Sequence, residues 1–178
     1  MRNRSARVFL AVCLSFASLL VAAAPVQSPE GQWQQYSYAA DGFAISAPAQ
    51  PAFTRQNKDT ATGPVEMHNY AIELGNNSGV MISTAQFQGQ GNASTKAVLQ
   101  KAKEGAIAAV NARLTSEHEI TLQGVPGLEF EAANDQFHTR VRMYFVNARL
   151  ITMMAIAPLG TDIPAGAARV FSSFKILK

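Results

Sequence analysis

Cysteine is almost absent from this sequence. Cys13 is the only one among 178 residues, and it lies inside an apolar N-terminal run that has the features of a removable leader. Once that leader is removed, the chain can form no disulfide bond, no thiolate zinc site and no cysteine nucleophile. The folded domain must therefore be stabilised by its apolar core alone.

Histidine is also scarce, with three in the chain: His68, His118 and His138. No two of them have the i, i+2 or i, i+4 spacing that brings metal ligands together on one strand or helix. Isolated histidines are usually packed or solvated structural residues. We predict no metal site and no cofactor.

Motifs for hydrolytic or nucleotide chemistry are missing too. The chain contains no Gly-x-Ser-x-Gly, and Gly124-Val125-Pro126-Gly127 lacks the lysine and the following helix that a phosphate-binding loop needs. We interpret that segment as a tight turn.

The longest apolar run, Val8 to Val21, indicates export. Arginines at positions 2, 4 and 7 precede it and small alanines follow it, which is the pattern of a secretory signal peptide over residues 1–24. The run is shorter than the ~20 residues that cross a bilayer, and it ends at Pro25. We predict cleavage near Ala23 or Ala24, a periplasmic or secreted protein, and no stable membrane anchor. Acylation of Cys13 is disfavoured because no small side chain stands before it at the required position.

Loss of the leader also changes the charge. Its three arginines reduce Lys and Arg from 15 to 12, against 12 Asp and Glu, so the mature chain is close to neutral. A neutral surface gives no electrostatic reason to expect nucleic acid or an anionic membrane as a partner.

The first half of the remaining chain predicts a tether at 25–32 and one domain at 33–178. Period-two alternation and turn signals predict two hairpins, an exposed loop and one amphipathic helix. These are Trp33–Tyr38 with Phe43–Ser46, Val65–Leu74 with Gly79–Phe87, the loop Thr54–Pro64, and a helix capped by Ser94 or Thr95 that closes before Thr115 with Val98, Ala102, Ala106, Val110 and Leu114 on its apolar face.

The second half predicts further antiparallel strands. A two-residue turn at Asn147-Ala148 pairs Phe145 with Leu150 and Met143 with Thr152, which keeps one face apolar. Residues 150–157 are apolar on both faces, as in a central strand. Residues 165–173 predict a short closing helix.

Several segments together resemble the PsbP-like superfamily. They are Tyr36-x-Tyr38 leading into Gly42-Phe43-Ala44-Ile45-Ser46-Ala47-Pro48, the Gly124–Gly127 segment, the hairpin Arg142–Leu150, and Phe171-Ser172-Ser173-Phe174. The resemblance implies an α+β fold, with an antiparallel sheet of about six to eight strands sandwiched by one long helix and a short C-terminal helix. Members include the extrinsic lumenal subunit of photosystem II, a Ran-binding nuclear import factor and secreted bacterial proteins. They share a fold and not an activity, so no catalytic residue is implied.

One charged group of residues stands out: Glu129, Glu131, His138, Arg140 and Arg142. A two-residue turn at 134–135 would place Glu129 opposite Arg140 and Glu131 opposite His138 on one sheet face. This face is a candidate platform for an anionic or peptide ligand, with the arginines as carboxylate clamps. Solvated cross-strand pairs without a ligand explain the same pattern and are favoured.

Two hypotheses about function follow. The preferred one is a non-catalytic envelope protein that binds a protein or small ligand, on the sheet face or between the helix and the 54–64 loop. Trp33, Tyr36 and Tyr38 are candidate aromatic contacts, although they suit a role in capping the core equally well. The alternative is an enzyme that uses a histidine and a glutamate brought together only by folding, with His68 and His118 as the candidate bases.

Overall fold

A seven-stranded antiparallel sheet runs through the domain, and a three-stranded sheet packs on it. The computed structural model describes residues 33–60, 63–87 and 94–177, so the predicted leader, the tether at 25–32 and residues 88–93 lie outside the described residues. The strands are β1 (Gln34–Tyr38), β2 (Phe43–Ala47), β3 (Ala52–Thr60), β4 (Gly63–Gly75), β5 (Ser78–Gln86), β6 (Arg113–Leu122), β7 (Val125–Ala133), β8 (Phe137–Val146), β9 (Arg149–Pro158) and β10 (Lys175–Ile176). The helices are α1 (Thr95–Ala109) and α2 (Ala165–Ser173).

The large sheet has the order β3-β4-β5-β9-β8-β7-β6, so β9 is central, as its two apolar faces predict. The predicted β8–β9 register is confirmed, with Phe145 opposite Leu150 and Met143 opposite Thr152. Asn147 and Ala148 have φ values of 52° and 60°. Positive φ at both central residues is the backbone of a two-residue hairpin turn.

Side chains of the large sheet alternate between two covered faces. Helix α1 covers the first, here called the helix face, where Leu99 packs with Phe130 and Met143. The small sheet and α2 cover the second, here called the small-sheet face, where Phe43 and Val170 pack over the sheet. This layering confirms the predicted α+β class, with the sheet between a long helix and a short C-terminal one.

The small sheet has the order β1-β2-β10. The predicted first hairpin is confirmed, with Tyr38 opposite Phe43. A 3₁₀ turn, Ala39–Asp41, and Gly42 at φ 74° connect its strands. Glycine adopts this left-handed conformation without steric cost. Strand β10 was not predicted, because two residues carry no readable pattern.

The prediction of an exposed loop at 54–64 is wrong. Residues 52–60 form β3, which pairs in continuous register with β4. Side chains 52–58 are all exposed, so the strand shows no apolar alternation in the sequence. Strands β4, β5 and β9 separate β3 from the strands under α1, so the docking space predicted between the helix and this segment does not form.

Helix α1 begins as predicted and ends early. The Ser94 hydroxyl accepts a hydrogen bond from the Ala97 backbone N–H at 3.3 Å, an N-cap. The helix ends at Ala109, and the predicted stripe positions Val110 and Leu114 are 45% and 44% exposed. Leu114 belongs to β6 and not to the helix.

The β7–β8 register differs by two residues from the predicted one. Glu129 pairs with Arg142 and Glu131 with Arg140. The Asn134 side-chain oxygen accepts hydrogen bonds from two backbone N–H groups, those of residues 136 and 137, at 2.9 and 3.0 Å. This moves the turn to residues 135–136, and a shift of two leaves every side chain on its predicted face.

Candidate functional site

A buried carboxylate at the junction of the two sheets is the centre of the candidate site. Asp41 ends the 3₁₀ turn of the small sheet and is 7% exposed. Its Oδ1 accepts hydrogen bonds from His68 Nδ1 at 2.8 Å and from Thr84 Oγ1 at 3.1 Å. Its Oδ2 accepts a hydrogen bond from the Tyr70 hydroxyl. A side chain of the small sheet is thus bound by β4 and β5 of the large sheet.

His68 lies between two acids. Its Nδ1 contacts Asp41, and its Nε2 lies 2.6 Å from Glu66 Oε1. Glu66, His68 and Tyr70 alternate along β4 and therefore share the small-sheet face. A carboxylate on each ring nitrogen requires both nitrogens to donate, which is the imidazolium form.

The charges of the cluster stabilise one another. The hydrogen bond to Glu66 raises the pKa of His68, against the opposing effect of burial, and the bond to Asp41 adds to it. Burial alone would raise the pKa of Asp41, but hydrogen bonds from Tyr70, His68 and Thr84 outweigh it and lower that pKa. Burial and then Asp41 raise the pKa of the Tyr70 phenol. At neutral pH, Asp41 is ionised and Tyr70 is a neutral donor.

Aromatic rings surround this cluster. The Phe53 ring is 46% exposed and meets the His68 ring edge to face at 5.4 Å, with the Arg55 guanidinium 5.5 Å from its centroid. The Tyr38 ring lies 4.2 Å from the Tyr70 ring. The Tyr38 hydroxyl is buried and has no hydrogen-bond partner among the described residues. Tyr38 therefore packs against the cluster without joining its hydrogen bonds.

The charged platform is present, and its charges are paired internally. Arg140 bonds Glu131, with Nη2 and Oε1 2.8 Å apart. Arg142 Nε donates to Glu129 Oε2, and the guanidinium lies 5.2 Å from the Phe171 ring of α2. Because both arginines bind acids of the same sheet, neither is an unoccupied clamp for a ligand carboxylate.

The other two histidines lie away from the Asp41 cluster. His138 faces Ala133 and not Glu131, and its Nε2 donates to the Thr161 carbonyl oxygen at 2.6 Å. His118 Nε2 lies 3.0 Å from the second oxygen of Glu129. The three histidines lie on β4, β6 and β8, and do not converge.

The N-terminal aromatics are half-buried on the small sheet. Trp33, Tyr36 and Tyr38 all pack against the core of the small-sheet face. The Arg169 guanidinium of α2 lies 4.3 Å from the Trp33 ring centroid. Their placement fits the core-capping interpretation, and their role as ligand contacts stays a prediction.

An open groove of about 260 Å³ lies elsewhere, between the start of α1 and the edge of the large sheet. Leu99, Pro126 and Leu128 are its apolar lining, and Lys96 and Glu119 pair at its rim at 2.7 Å. Small-molecule sites usually enclose roughly 300–1,000 Å³. The groove is therefore better suited to one or two side chains than to a whole cofactor.

The acid–histidine cluster was not predicted as such. His68 is a candidate base from the sequence, and its i, i+2 spacing from Glu66 on one strand is the available local signal for their contact. Asp41 is 27 residues from His68, and no spacing rule joins them. In the described part of the chain, no three His, Cys, Asp or Glu side chains are arranged to hold a metal ion. No helix in that part is both long and apolar enough to span a bilayer.

Comparisons with known proteins show the fold. No model of a known protein family matches the chain. No curated protein matches it significantly either. The solution structure of cyanobacterial PsbP from Synechocystis sp. PCC 6803 superposes with a TM-score of 0.55 at 14% identity, over 86% of this chain and 99% of that one. A crystal structure from Bacteroides thetaiotaomicron VPI-5482 has a TM-score of 0.41 and 13% identity over 83% of this chain and 49% of that one, which is too distant to carry an argument. The chain has a PsbP-like fold.

Proposed function

We propose that this protein is exported and that its folded domain is a non-catalytic binding module, whose partner adds an extended segment to the free edge of β6. The observation that carries the proposal is this edge together with the groove beside it. β6 is the last strand of the large sheet and, within residues 33–60, 63–87 and 94–177, pairs with β7 alone. A strand edge with unpaired N–H and C=O groups is a template for another strand.

The side chains of β6 support this proposal. Those from Arg113 to Glu119 are all exposed. Residues 116–122 contain neither lysine nor proline, the residues that most often block an edge. The two glutamates of this stretch are neutralised from α1, Glu117 by Lys103 at 2.6 Å and Glu119 by Lys96. An incoming strand would therefore meet little uncompensated charge.

The groove supplies a place for side chains of the partner. It runs along the Glu119–Thr121 part of β6, so the side chains of an added strand would reach it directly. Its lining by Leu99, Pro126 and Leu128 favours apolar side chains. The partner is thus an extended segment with an apolar residue at the position that faces the groove.

We do not propose an enzyme. A general base needs a lone pair directed at a substrate. Both nitrogens of His68 bind carboxylates. His118 faces Glu129, His138 binds a backbone carbonyl, and neither lines the groove.

A photo-cross-linking residue placed at Thr121 in cells that express the full chain tests the binding surface. Thr121 is exposed and lines the groove, and the matched control position is Thr54, exposed on the opposite edge strand β3. We expect a protein adduct from position 121 and none from position 54. Equal labelling at both positions, or no adduct at 121, would contradict the proposal.

Export has a separate test. The intact mass of the protein recovered from the periplasm or medium should correspond to a chain that begins at Ala24 or Pro25. A full-length chain that stays in the cytoplasm would contradict this part of the proposal without affecting the binding surface.

A further inference from the structure

The contact between the two sheets depends on few polar groups. Among the described residues, the hydrogen bonds that join the small sheet to the large one are those of Asp41 with β4 and β5, and one from the Ile176 N–H to Gln123 Oε1 at 2.7 Å. The hydrogen bonds that attach the 3₁₀ turn between β1 and β2 to the large sheet therefore all go to one carboxylate. His68 is the only partner of that carboxylate that can change its charge near neutral pH.

We infer that His68 is a pH-dependent latch, which in its protonated form fastens the β1–β2 connection to the large sheet and on losing its proton weakens that attachment. This regulation does not depend on the proposed binding at β6. It concerns the stability of the small sheet on the large one.

The latch follows from the hydrogen-bonding capacity of imidazole. A neutral ring has one N–H and one lone pair, so it cannot donate to two carboxylates. With oxygens 2.8 and 2.6 Å from its two nitrogens, the neutral ring must direct a lone pair at one of them. The Glu66 side chain is 51% exposed and can turn to water, whereas that of Asp41 is 10% exposed and cannot. The neutral ring therefore keeps its hydrogen bond to the Asp41 carboxylate, but the attraction between an imidazolium and a carboxylate is lost.

The other titratable and charged groups that face His68 come from the 3₁₀ turn and from the strands packed around it. Asp41 comes from the 3₁₀ turn, and β4 adds Glu66 and Tyr70. β3 places Arg55 directly opposite His68, and β5 places only Thr84 there. On β1, Tyr38 has a pKa raised by burial and then by Tyr36. The pKa of Asp41 is lowered and those of Tyr38 and Tyr70 are raised, so these three groups keep their charge state between mildly acidic and mildly alkaline pH.

The sign of the effect is fixed by the raised pKa of His68. The protonated ring stabilises the attachment of the β1–β2 connection to the large sheet fully at pH values below the ordinary histidine pKa of 6.5. This contribution is lost as the pH rises through the higher pKa of the folded protein. The attachment of the β1–β2 connection should therefore weaken on the alkaline side.

Amide hydrogen exchange of the mature protein from pH 5.5 to 8.5, corrected for the intrinsic pH dependence of exchange, tests the latch. We expect the protection of residues 39–44 to fall with rising pH by about tenfold for each unit by which folding raises the His68 pKa. Strands β7 and β8 are the internal reference. The same pKa, measured independently by NMR of the imidazole nitrogens, must account for the size of the fall.

Two variants separate the latch from other effects. Glu66→Gln removes one acid at an exposed position and should reduce the pH dependence, and His68→Gln should abolish it. Glu119→Gln is the matched control, since it removes another exposed glutamate of an ion pair, 73% exposed, and should leave the dependence unchanged. A pH-independent protection of residues 39–44, a fall shared equally by β7 and β8, or a fall that persists in His68→Gln would overturn the inference.

Discussion

The ring of Tyr144 on β8 lies directly against the backbone of Gly127, its partner on β7. A Cβ atom at position 127 would stand 2.6 Å from two carbons of that ring and 2.7 Å from the Met143 carbonyl oxygen. The ring also stacks on Phe174 at 5.9 Å, so it cannot move away freely. Gly127 thus makes room for an aromatic ring. The tight turn predicted at Gly124–Gly127 is misplaced, because the turn lies at residues 123–124 and Val125 to Gly127 belong to β7.

Gly127→Ala should destabilise the fold by about 1–3 kcal/mol, because the added methyl group overpacks a buried contact. The measurement is urea unfolding of the mature protein. Gly105→Ala is the control, since nothing lies within 4 Å of a Cβ at that exposed position of α1. It should stabilise the protein by roughly 0.5–1 kcal/mol through helix propensity. Equal effects of the two substitutions would refute the packing argument.

Tyr70→Phe should cost about 1–3 kcal/mol, because it leaves a buried oxygen of Asp41 without its donor. The neighbouring ring provides a matched comparison. Tyr38→Phe removes a buried hydroxyl that has no partner among the described residues, so it should be neutral or slightly stabilising. The measurement is the free energy of unfolding of each variant. A larger loss of stability for Tyr38→Phe than for Tyr70→Phe would contradict the hydrogen bond between Tyr70 and Asp41.

The two arginines of the platform should differ in their effect on stability. Arg142→Ala leaves Glu129, whose side chain is 11% exposed, with only His118 as a partner, and it also removes the contact with Phe171. We expect a loss of about 2 kcal/mol, between the ranges for surface and buried pairs. Arg140→Ala breaks a pair whose side chains are 43% and 39% exposed and should cost roughly 0–1 kcal/mol. Chemical denaturation of both variants measures the difference, and equal losses would mean that Glu129 does not need Arg142.

Acid unfolding should depend on Asp41. Its lowered pKa means that the ionised carboxylate stabilises the fold above the ordinary value of 3.8. This stabilisation is lost as the pH falls through the lower value of the folded state. Asp41→Asn should therefore be less stable than the natural chain at neutral pH and should lose less stability between neutral pH and pH 3. Asp135→Asn, at an exposed turn, is the control and should leave the loss of stability between neutral pH and pH 3 unchanged.

The sequence predicted those parts of the fold whose determinants are local. Asn147 and Ala148 set the β8–β9 turn, and apolar residues on both faces of β9 placed that strand at the centre. The predicted β7–β8 register was wrong by two residues because the Asn134 side chain accepts hydrogen bonds from two backbone N–H groups and moves the turn. A periodicity of two cannot distinguish registers that differ by two residues.

Strand β3 was missed for a different reason. An edge strand whose side chains are exposed on both faces has no alternation to read, and its polar composition is that of a loop. The acid–histidine cluster was missed because it joins a turn to the middle of two distant strands. The contact between Asp41 and Thr84 spans 43 residues and exists only once the small sheet has packed on the large one.

The most direct test of the central claim is the amide hydrogen exchange of β6, measured for the mature protein alone and in complex with the protein that cross-links at Thr121. We predict that residues 116–122 become protected on binding, while the opposite edge strand β3 exchanges as before. Unchanged exchange along β6, with protection gained on another surface, would contradict the account.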